Sequence, residues 1–295
     1  MSLAEMFKSF CVLFIGIFIE AVPFILIGAL VAGIITTFLT EELIKKVLPS
    51  NKLGGAIVAS LLGLFFPLCE CATVPVTRGL VKKGVPVNVA TTFMLAAPIV
   101  NPVVMLSTYQ AFGGSSKVLI LRVGAGVILA IIIGFLLEIL NNGHSVLKDK
   151  VLNFTCECGC EELKKEKSLK VLIEHIGEEL YSIGKYLIIG SILASLFQVV
   201  IPGDIINRLA VNKLLAVVVM MSLAYLLSLC SEADAFVARS FLIQFSLGPV
   251  IAFLILGPML DLKNNLMLFS GFKKRYVFTL MFLVFTFCFL IGCLV

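Results

Sequence analysis

The sequence predicts an all-α polytopic membrane protein built from two inverted structural repeats. Three observations lead to this prediction: an apolar composition, several apolar runs long enough to cross a bilayer, and an internal duplication. Of the 295 residues, 60% are hydrophobic and 14% are charged, and the mean hydropathy is +1.12. Soluble domains average about 45–50% apolar and about 25% charged residues. The composition excludes a disordered chain, a disulfide-stapled secreted module and a nucleic-acid-binding protein, and the net charge of +5 is expected to record membrane topology.

Four segments are predicted to cross the bilayer as helices. A crossing helix needs about 17–25 mainly apolar residues, and the segments 9–40, 118–140, 176–201 and 276–295 meet this requirement. The first segment is not expected to be a removable secretory signal, because its apolar run is too long and Glu20 and Pro23 interrupt it.

The remaining apolar stretches are interrupted by polar residues and prolines. Residues 53–68 run into a polar segment at 67–71, and residues 85–112 are broken at 97–102. In the second half, 214–229 runs into the polar segment 229–234, and 242–262 is broken at 257–261. Non-helical backbone at membrane depth is tolerated only where protein buries it or where it lines a cavity. The interruptions therefore predict a polar cavity.

These interruptions fall at matching places in the two halves of the chain. The stretch SNKLGGAIVASLLGLFFPLC from residue 50 aligns with VNKLLAVVVMMSLAYLLSLC from residue 211, an offset of 161. This offset pairs Cys69 with Cys230, and after one residue of slippage Asn101 pairs with Asp261. Identities in the same order predict an internal duplication.

The placement of Lys and Arg favours inverted repeats over parallel ones. If 53–83 and 214–240 are re-entrant hairpins, each half has three full crossings, and the two halves are inverted. With the central loop inside, sixteen cationic residues, Lys263 among them, lie inside, and six, Arg122 among them, lie outside. Hairpins that crossed fully would make the halves parallel and would weaken this bias.

The predicted organisation is a first membrane repeat at 1–140, a cytoplasmic cysteine-containing loop at 141–172 and a second membrane repeat at 173–295. Each repeat is expected to have three spanning helices, a re-entrant hairpin and a broken helix. Inverted repeats with broken helices are typical of secondary transporters, whose binding site lies near the midplane of the bilayer.

Cys69, Glu70 and Cys71, at the tip of the first hairpin, are candidate substrate-binding residues. Two thiols two residues apart can bind one soft metal or metalloid centre. The alternative is that these cysteines are small buried hydrophobic residues.

Cys230, Glu232 and Asp234, at the tip of the second hairpin, form a second candidate substrate-binding cluster. Carboxylates inside an apolar region are costly and usually mark an ion or proton route. Because burial disfavours the charged form of a carboxyl group, Glu232, Asp234 or Glu70 are candidate proton carriers. The alternative is a structural ion pair that holds the hairpin.

Asn101 and Asp261, at the two proline-containing breaks, complete the candidate substrate-binding set. The side-chain amide and carboxylate, together with backbone carbonyl groups freed by the breaks, would supply oxygen donors. The alternative is a kink whose polar groups are satisfied by neighbouring helices.

Glu20, Arg78 and Arg239 are candidate coupling residues. Glu20 lies about a dozen residues into the first apolar helix, where it either faces a cavity or snorkels toward the interface. The two arginines are equivalent under the duplication and are candidate ion-pair partners of the hairpin carboxylates.

The central loop contains Cys156, Cys158 and Cys160, which are candidate metal ligands. Three thiols at i, i+2 and i+4 in a lysine-rich loop can wrap one thiophilic ion. The spacing differs from the Cys-x-x-Cys of ordinary zinc modules, and cytoplasmic thiols stay reduced. A redox or disulfide role and the absence of any function are the alternatives.

The sequence contains no Gly-rich phosphate-binding loop, so we do not expect this chain to hydrolyse ATP. We expect neither an enzyme activity nor a cofactor. The energy for transport is expected to come from a gradient or from a partner.

The string FPLCECATVPVTRGLVKKGVPVNVATTFMLAAPIVNPVV, residues 66–104, resembles the predicted permease family that includes the ArsP-type organoarsenical efflux permeases. The resemblance extends over nearly the whole chain. It implies a bacterial inner-membrane transporter in which Cys69, Cys71, Asn101 and Pro102 are the matching positions, and it does not imply arsenic as the substrate. The second-half motif is degenerate, since Ser231 stands where the first half has Glu70.

Taken together, the residues predict a secondary permease in the lipid bilayer that exports a small thiophilic metal or metalloid species with proton coupling. The central loop would capture the species and pass it to Cys69 and Cys71 at the midplane. The alternative is a transmembrane thiol–disulfide electron carrier that uses Cys69 and Cys230. Either protein is compatible with a second permease subunit, and neither involves a nucleic acid.

Overall fold

The described residues of the first half form six helices. The computed structural model describes residues 3–38, 52–65, 68–141, 145–148, 169–200, 212–242 and 244–295. The helices of the first half are α1 (Leu3–Phe38), α2 (Lys52–Leu61, continued by a 3-10 turn at Leu62–Leu64), α3 (Glu70–Lys82), α4 (Val87–Val100), α5 (Pro102–Ala111) and α6 (Ser116–Asn141).

The second half has the same order of helices. They are α7 (Leu169–Val200), α8 (Lys213–Leu227), α9 (Asp234–Phe241), α10 (Leu247–Met259), α11 (Leu262–Gly271) and α12 (Lys274–Leu294). The described residues contain no β-strand, and their one isolated bridge joins Leu147 to Phe272. The prediction of an all-α polytopic protein is confirmed.

Four helical segments among the described residues are long and apolar enough to cross a membrane. They are Ala4–Ile34, Ser116–Asn141, Leu247–Gly271 and Lys274–Leu294. Three of them correspond to the predicted spans 9–40, 118–140 and 276–295. The fourth predicted span, 176–201, lies on α7, which supplies the shorter apolar segment Gly184–Val199. The helices α4 and α5 would form a fifth span bent by 42°.

Both predicted helix breaks occur, and a polar side chain caps the helix that follows each one. Asn101 ends α4 and accepts a hydrogen bond of 2.9 Å from the Val103 backbone N–H at the start of α5. Pro102 suits this position because a first-turn N–H has no intrahelical partner to lose. In the second half, the Asp261 side chain accepts a hydrogen bond from the Asn264 N–H. These caps offset the loss of backbone hydrogen bonding at membrane depth.

The two predicted hairpins are pairs of short helices. The helices α2 and α3 have 10 and 13 residues, and α8 and α9 have 15 and 8. At 1.5 Å per residue, each is shorter than the roughly 30 Å hydrocarbon core. Their lengths are compatible with re-entrant hairpins, and the inverted orientation of the halves stays a prediction.

The contacts between the halves follow the pattern of a two-fold arrangement. The helices α1, α4 and α6 pack on their respective equivalents α7, α10 and α12. Contacts between non-equivalent helices are reciprocal, because α3 packs on α11 and α9 packs on α5. Such self-complementary contacts are those expected of a pseudo-two-fold axis. The helices α4 and α10 contact each other and are buried along almost their whole lengths.

Small residues let the helix backbones approach closely. A Cβ atom on Gly28 of α1 would lie 2.8 Å from the Ala72 Cα of α3. Gly63 makes a similar approach to Ala97 of α4. Small residues at helix contacts are typical of packing in membranes, where van der Waals contact replaces the hydrophobic driving force. This packing holds the first hairpin against the core and so fixes the position of its tip.

Candidate functional site

The tips of the two hairpins meet in the interior of the protein. Glu70 is the first residue of α3, and Ser231 lies in the tip that precedes α9. The Ser231 hydroxyl donates a hydrogen bond of 3.2 Å to Glu70 Oε2, and both side chains are about 1% exposed. The two residues are equivalent under the offset of 161, so the contact joins corresponding positions of the two halves.

Lys263 brings a positive charge to this contact. Its Nζ atom lies 3.6 Å from Glu70 Oε1 and 3.7 Å from Asp261 Oδ2. It also lies 3.5 Å from the carbonyl oxygen of Ser228, at the end of α8. Ser228 adopts a left-handed backbone conformation with φ of 47°, which ends α8 and turns the chain toward the hairpin tip. The ammonium therefore joins three chain segments, one from the first half and two from the second.

A second buried ion pair lies on the other side of Ser231. The Nη2 atom of Arg122 on α6 is 2.7 Å from Asp234 Oδ2 at the start of α9 and 3.2 Å from the Ser231 carbonyl oxygen. The Nη1 atom donates to Thr108 Oγ1 of α5 at 2.7 Å. A short pair with further hydrogen bonds is the geometry that offsets the desolvation cost of buried charges. This pair joins α5, α6 and α9 across the two halves.

Three free cysteines surround the contact of the hairpin tips. Cys69 and Cys71 flank Glu70 and are buried, with their thiol groups within hydrogen-bonding reach of each other. Cys230, the repeat equivalent of Cys69, precedes Ser231 and is also buried. The tips thus gather thiols from both halves beside one carboxylate.

Glu20 and Glu232 extend the polar cluster toward the protein surface. Glu20 on α1 is exposed, and Glu232 is half-buried. The Cys230 thiol lies within electrostatic range of the Glu20 carboxylate, and Glu232 follows it by two residues in the chain. Polar side chains therefore lead from the exposed face of α1 to the buried Glu70.

The structure brings together most of the predicted substrate-binding residues. Glu70 and Asp261 lie beside the Lys263 ammonium, Cys71 and Cys230 are within electrostatic range of it, and Cys69 is the neighbour of Glu70 in the chain. Asp234 joins the same region through Arg122, and Glu232 joins it through Cys230. Asn101 is buried and caps α5, and no described contact connects it to the hairpin tips.

The two arginines singled out by the sequence lie elsewhere. Arg78 is buried on α3 and packs against Gly271, whereas Arg239 is exposed on α9. The arginine bound to Asp234 is Arg122. The roles of Arg78 and Arg239 in coupling stay predictions.

The described residues contain no group of three or more His, Cys, Asp and Glu side chains arranged to hold a metal ion. The predicted metal ligands Cys156, Cys158 and Cys160 lie outside the described residues. The hairpin tips offer paired thiols beside carboxylates.

Sequence reasoning missed Lys263, Arg122 and Ser231. Lys263 and Arg122 were counted as topology-determining charges near helix ends, but both are buried. A single cation within an apolar run is a signal of a buried partner, and Arg122 inside the span 118–140 carries that signal. Ser231 was noted only as a departure from the repeat. When Lys263 and Arg122 are left out, the count of Lys and Arg residues still favours the inside.

Interrupted apolar helices with buried charges near the interruption are typical of membrane transport proteins. The chain belongs to a family described as predicted permeases, whose model matches residues 6–295. It is a multi-pass membrane protein of that family.

Two relatives resemble the chain over nearly its whole length. The UPF0718 protein YcgR of Bacillus subtilis is 43% identical over 268 residues, which cover 91% of this chain and 90% of the relative. A Streptococcus mutans protein, named as a subunit of a two-component membrane permease complex, is 37% identical over 287 residues, covering 95% and 94%. No solved structure matches the chain.

Proposed function

We propose that the chain is a secondary permease of the cell membrane that exports a thiophilic metal or metalloid species, driven by a proton gradient. The observation that carries this proposal is the contact between Ser231 and Glu70. This contact places Cys69, Cys71 and Cys230 beside one buried carboxylate. Soft metal and metalloid centres select thiolate ligands, and ionisable residues inside a membrane protein mark an ion or proton route.

The route to this site is proposed to pass Glu20 and Glu232. Glu20 is exposed and Glu232 is half-buried, and both lie beside Cys230. Carboxylates at increasing depth attract cations from solution. The same carboxylates are available to carry protons in the opposite direction.

The central loop is proposed to capture the species before it enters the membrane part. Cys156, Cys158 and Cys160 supply three thiols for this purpose. The segment 145–148 pairs with the end of α11 through the bridge between Leu147 and Phe272, the residue after this helix, and Lys148 Nζ donates to the Phe269 carbonyl at 2.6 Å. These contacts support a loop that begins at the end of α11, the helix that carries Lys263.

A second subunit is proposed as a partner. The Streptococcus mutans relative is named as a subunit of a two-component complex and matches 95% of this chain. An affinity-tagged chain, isolated from its own host in mild detergent, is expected to retain one other membrane protein in a fixed ratio.

The test is transport into everted membrane vesicles with trivalent methylarsenite as the probe. We expect proton-dependent accumulation by the wild type and none by the Cys69→Ser/Cys71→Ser variant. The matched control is Cys11→Ser/Cys293→Ser, which changes two half-buried cysteines away from the hairpin tips and should transport as the wild type does. Equal transport by the wild type and the Cys69→Ser/Cys71→Ser variant would overturn the proposal.

A thiol–disulfide carrier is the second candidate function. The observation that favours it is that Cys69 and Cys230 are free and each precedes one partner of the contact between Glu70 and Ser231. Oxidant treatment of intact membranes would then produce a gel shift that reverses with reductant and disappears in Cys230→Ser. An oxidised sample without such a shift would exclude this function.

A further inference from the structure

Lys263 occupies a pocket whose oxygen atoms are held in place by other groups. Glu70 presents Oε1 to the ammonium, while its Oε2 accepts the hydrogen bond from Ser231. Asp261 presents Oδ2, while its Oδ1 caps α11 through the Asn264 N–H. The third oxygen is the backbone carbonyl of Ser228. Because each carboxylate has its own second anchor, the pocket does not depend on Lys263 for its shape.

The ammonium is held loosely compared with a tight ion pair. Its three distances are 3.5, 3.6 and 3.7 Å, whereas charge-assisted N–H···O bonds are about 2.7–2.9 Å. The pair between Arg122 and Asp234, at 2.7 Å in the same protein, has the tight geometry. Asp261 Oδ2 makes no hydrogen bond within the described residues. Two carboxylates facing one ammonium leave an excess of negative charge in a nearly water-free place.

The position of Lys263 on its helix is unfavourable for a cation. It is the second residue of α11, where the helix dipole repels positive charge. The two carboxylates, and not the dipole of α11, therefore account for the position of the ammonium. Gly190 lets the backbone of α7 pack closely against Lys263. A Cβ atom added to Gly190 would lie 3.0 Å from the Lys263 Cα.

The thiols of Cys71 and Cys230 also lie within electrostatic range of the ammonium. The described residues place no third carboxylate or thiol at ligand distance from the pocket, so its own ligand atoms are the two carboxylate oxygens and the Ser228 carbonyl oxygen.

We propose that Glu70, Asp261 and the Ser228 carbonyl form a cation-binding site, that the Lys263 ammonium occupies it in the structure, and that a transported cation enters by displacing the ammonium. That the cation is transported rests on the proposed permease function. The cation site itself rests on the geometry of the pocket. Displacement exchanges one positive charge for another, so the two carboxylates are never left unpaired. Lys263 links α11 of the second half to α3 of the first half. When the transported cation replaces the ammonium, the cation makes this link between the two halves instead.

Chemical rescue tests the cation site without any transported substrate. Lys263→Ala removes the side chain beyond Cβ, and n-propylammonium replaces the atoms removed. We expect the midpoint of thermal unfolding of the purified variant to fall by about 10 °C, because two buried carboxylates lose their cation. Added n-propylammonium should restore most of this loss with saturable dependence, whereas tetramethylammonium, which has no N–H, should not.

The matched control is Lys185→Ala, which removes an exposed lysine of α7 that lies over the Tyr181 and Tyr186 rings. Neither this variant nor the wild type should respond specifically to n-propylammonium. Equal stabilisation of all three proteins, or equal effects of the two ammonium ions on Lys263→Ala, would overturn the proposal.

Two further variants keep the test decisive if Lys263→Ala does not fold. Lys263→Gln keeps most of the side-chain volume without the charge, so it should be recovered from membranes but should not respond to n-propylammonium, because the glutamine side chain fills the space that the amine would enter. The double variant Lys263→Ala/Asp261→Asn removes one charge of each sign and should be more stable than Lys263→Ala and less responsive to the amine. Failure of both expectations would contradict a cation site. Failure of the rescue would leave the thiol-dependent permease proposal standing, and a negative result with Cys69→Ser/Cys71→Ser would leave the cation site standing.

Discussion

Ser231 Oγ lies 3.2 Å from Glu70 Oε2, and these two residues are related by the offset of 161 that aligns the two halves of the chain. Contact between equivalent positions is expected where the two halves of a two-fold arrangement meet. The contact joins the two halves at the hairpin tips.

We predict that Ser231→Ala weakens the contact of the hairpin tips. The substitution removes one hydrogen bond to a buried carboxylate, with an expected loss of about 1–3 kcal/mol in the free energy of unfolding. Transport should fall with it, and Ser231→Thr should retain most of the activity. The control is Ser240→Ala, an exposed serine whose hydroxyl bonds only to the Val237 carbonyl of its own helix. Thermal unfolding of the purified proteins measures the difference, and equal midpoints for the two alanine variants would refute the prediction.

Arg122→Met is predicted to be among the most destabilising single substitutions. It leaves the Asp234 carboxylate buried without its partner, which costs about 3–5 kcal/mol. The double variant Arg122→Met/Asp234→Leu should recover much of this loss, because a buried ion pair replaced by apolar residues is often neutral. Arg239→Met, at an exposed position of α9, is the control and should unfold as the wild type does. A double variant no more stable than Arg122→Met would contradict this account of the pair.

Gly28→Val is predicted to displace the first hairpin from α1. The added side chain would overlap Ala72, and overpacking of this kind costs about 1–3 kcal/mol. Gly16→Val on the same helix is the matched control, because nothing lies within 4 Å of a Cβ atom there. The yield of folded protein in detergent and its unfolding midpoint measure the effect. A Gly16→Val variant as unstable as Gly28→Val would show that helix propensity, and not the contact with Ala72, is responsible.

The predicted inverted orientation of the halves can be tested by labelling. If the first hairpin is re-entrant, its two ends lie on the same side of the membrane. Cysteines introduced by Leu53→Cys and Lys82→Cys, both at exposed positions, should then react with a membrane-impermeant maleimide from one side only, and from the same side. Labelling from opposite sides would show that the hairpin crosses the bilayer and that the repeats are parallel.

The sequence predicted the elements of the fold better than it predicted the partners within the site. The breaks at Asn101 and Asp261 could be located because proline and polar residues interrupt apolar runs in a way that local chemistry dictates. The hairpin tips could be located for the same reason, and the duplication indicated that they correspond. The cations Lys263 and Arg122 could not be placed, because a charge near a helix end looks the same in the sequence whether it faces water or a buried carboxylate.

The sequence by itself determined that the protein is a helical membrane protein with two corresponding halves and interrupted helices, since hydropathy, proline and glycine act over short stretches of chain. Only the tertiary structure decided that Arg122 binds Asp234, 112 positions away, and that Lys263 lies between Glu70 and Asp261. These pairings depend on how the two halves pack against each other. Helix contacts across a pseudo-two-fold axis join residues that no local pattern relates, and buried charges take the nearest opposite charge that this packing supplies.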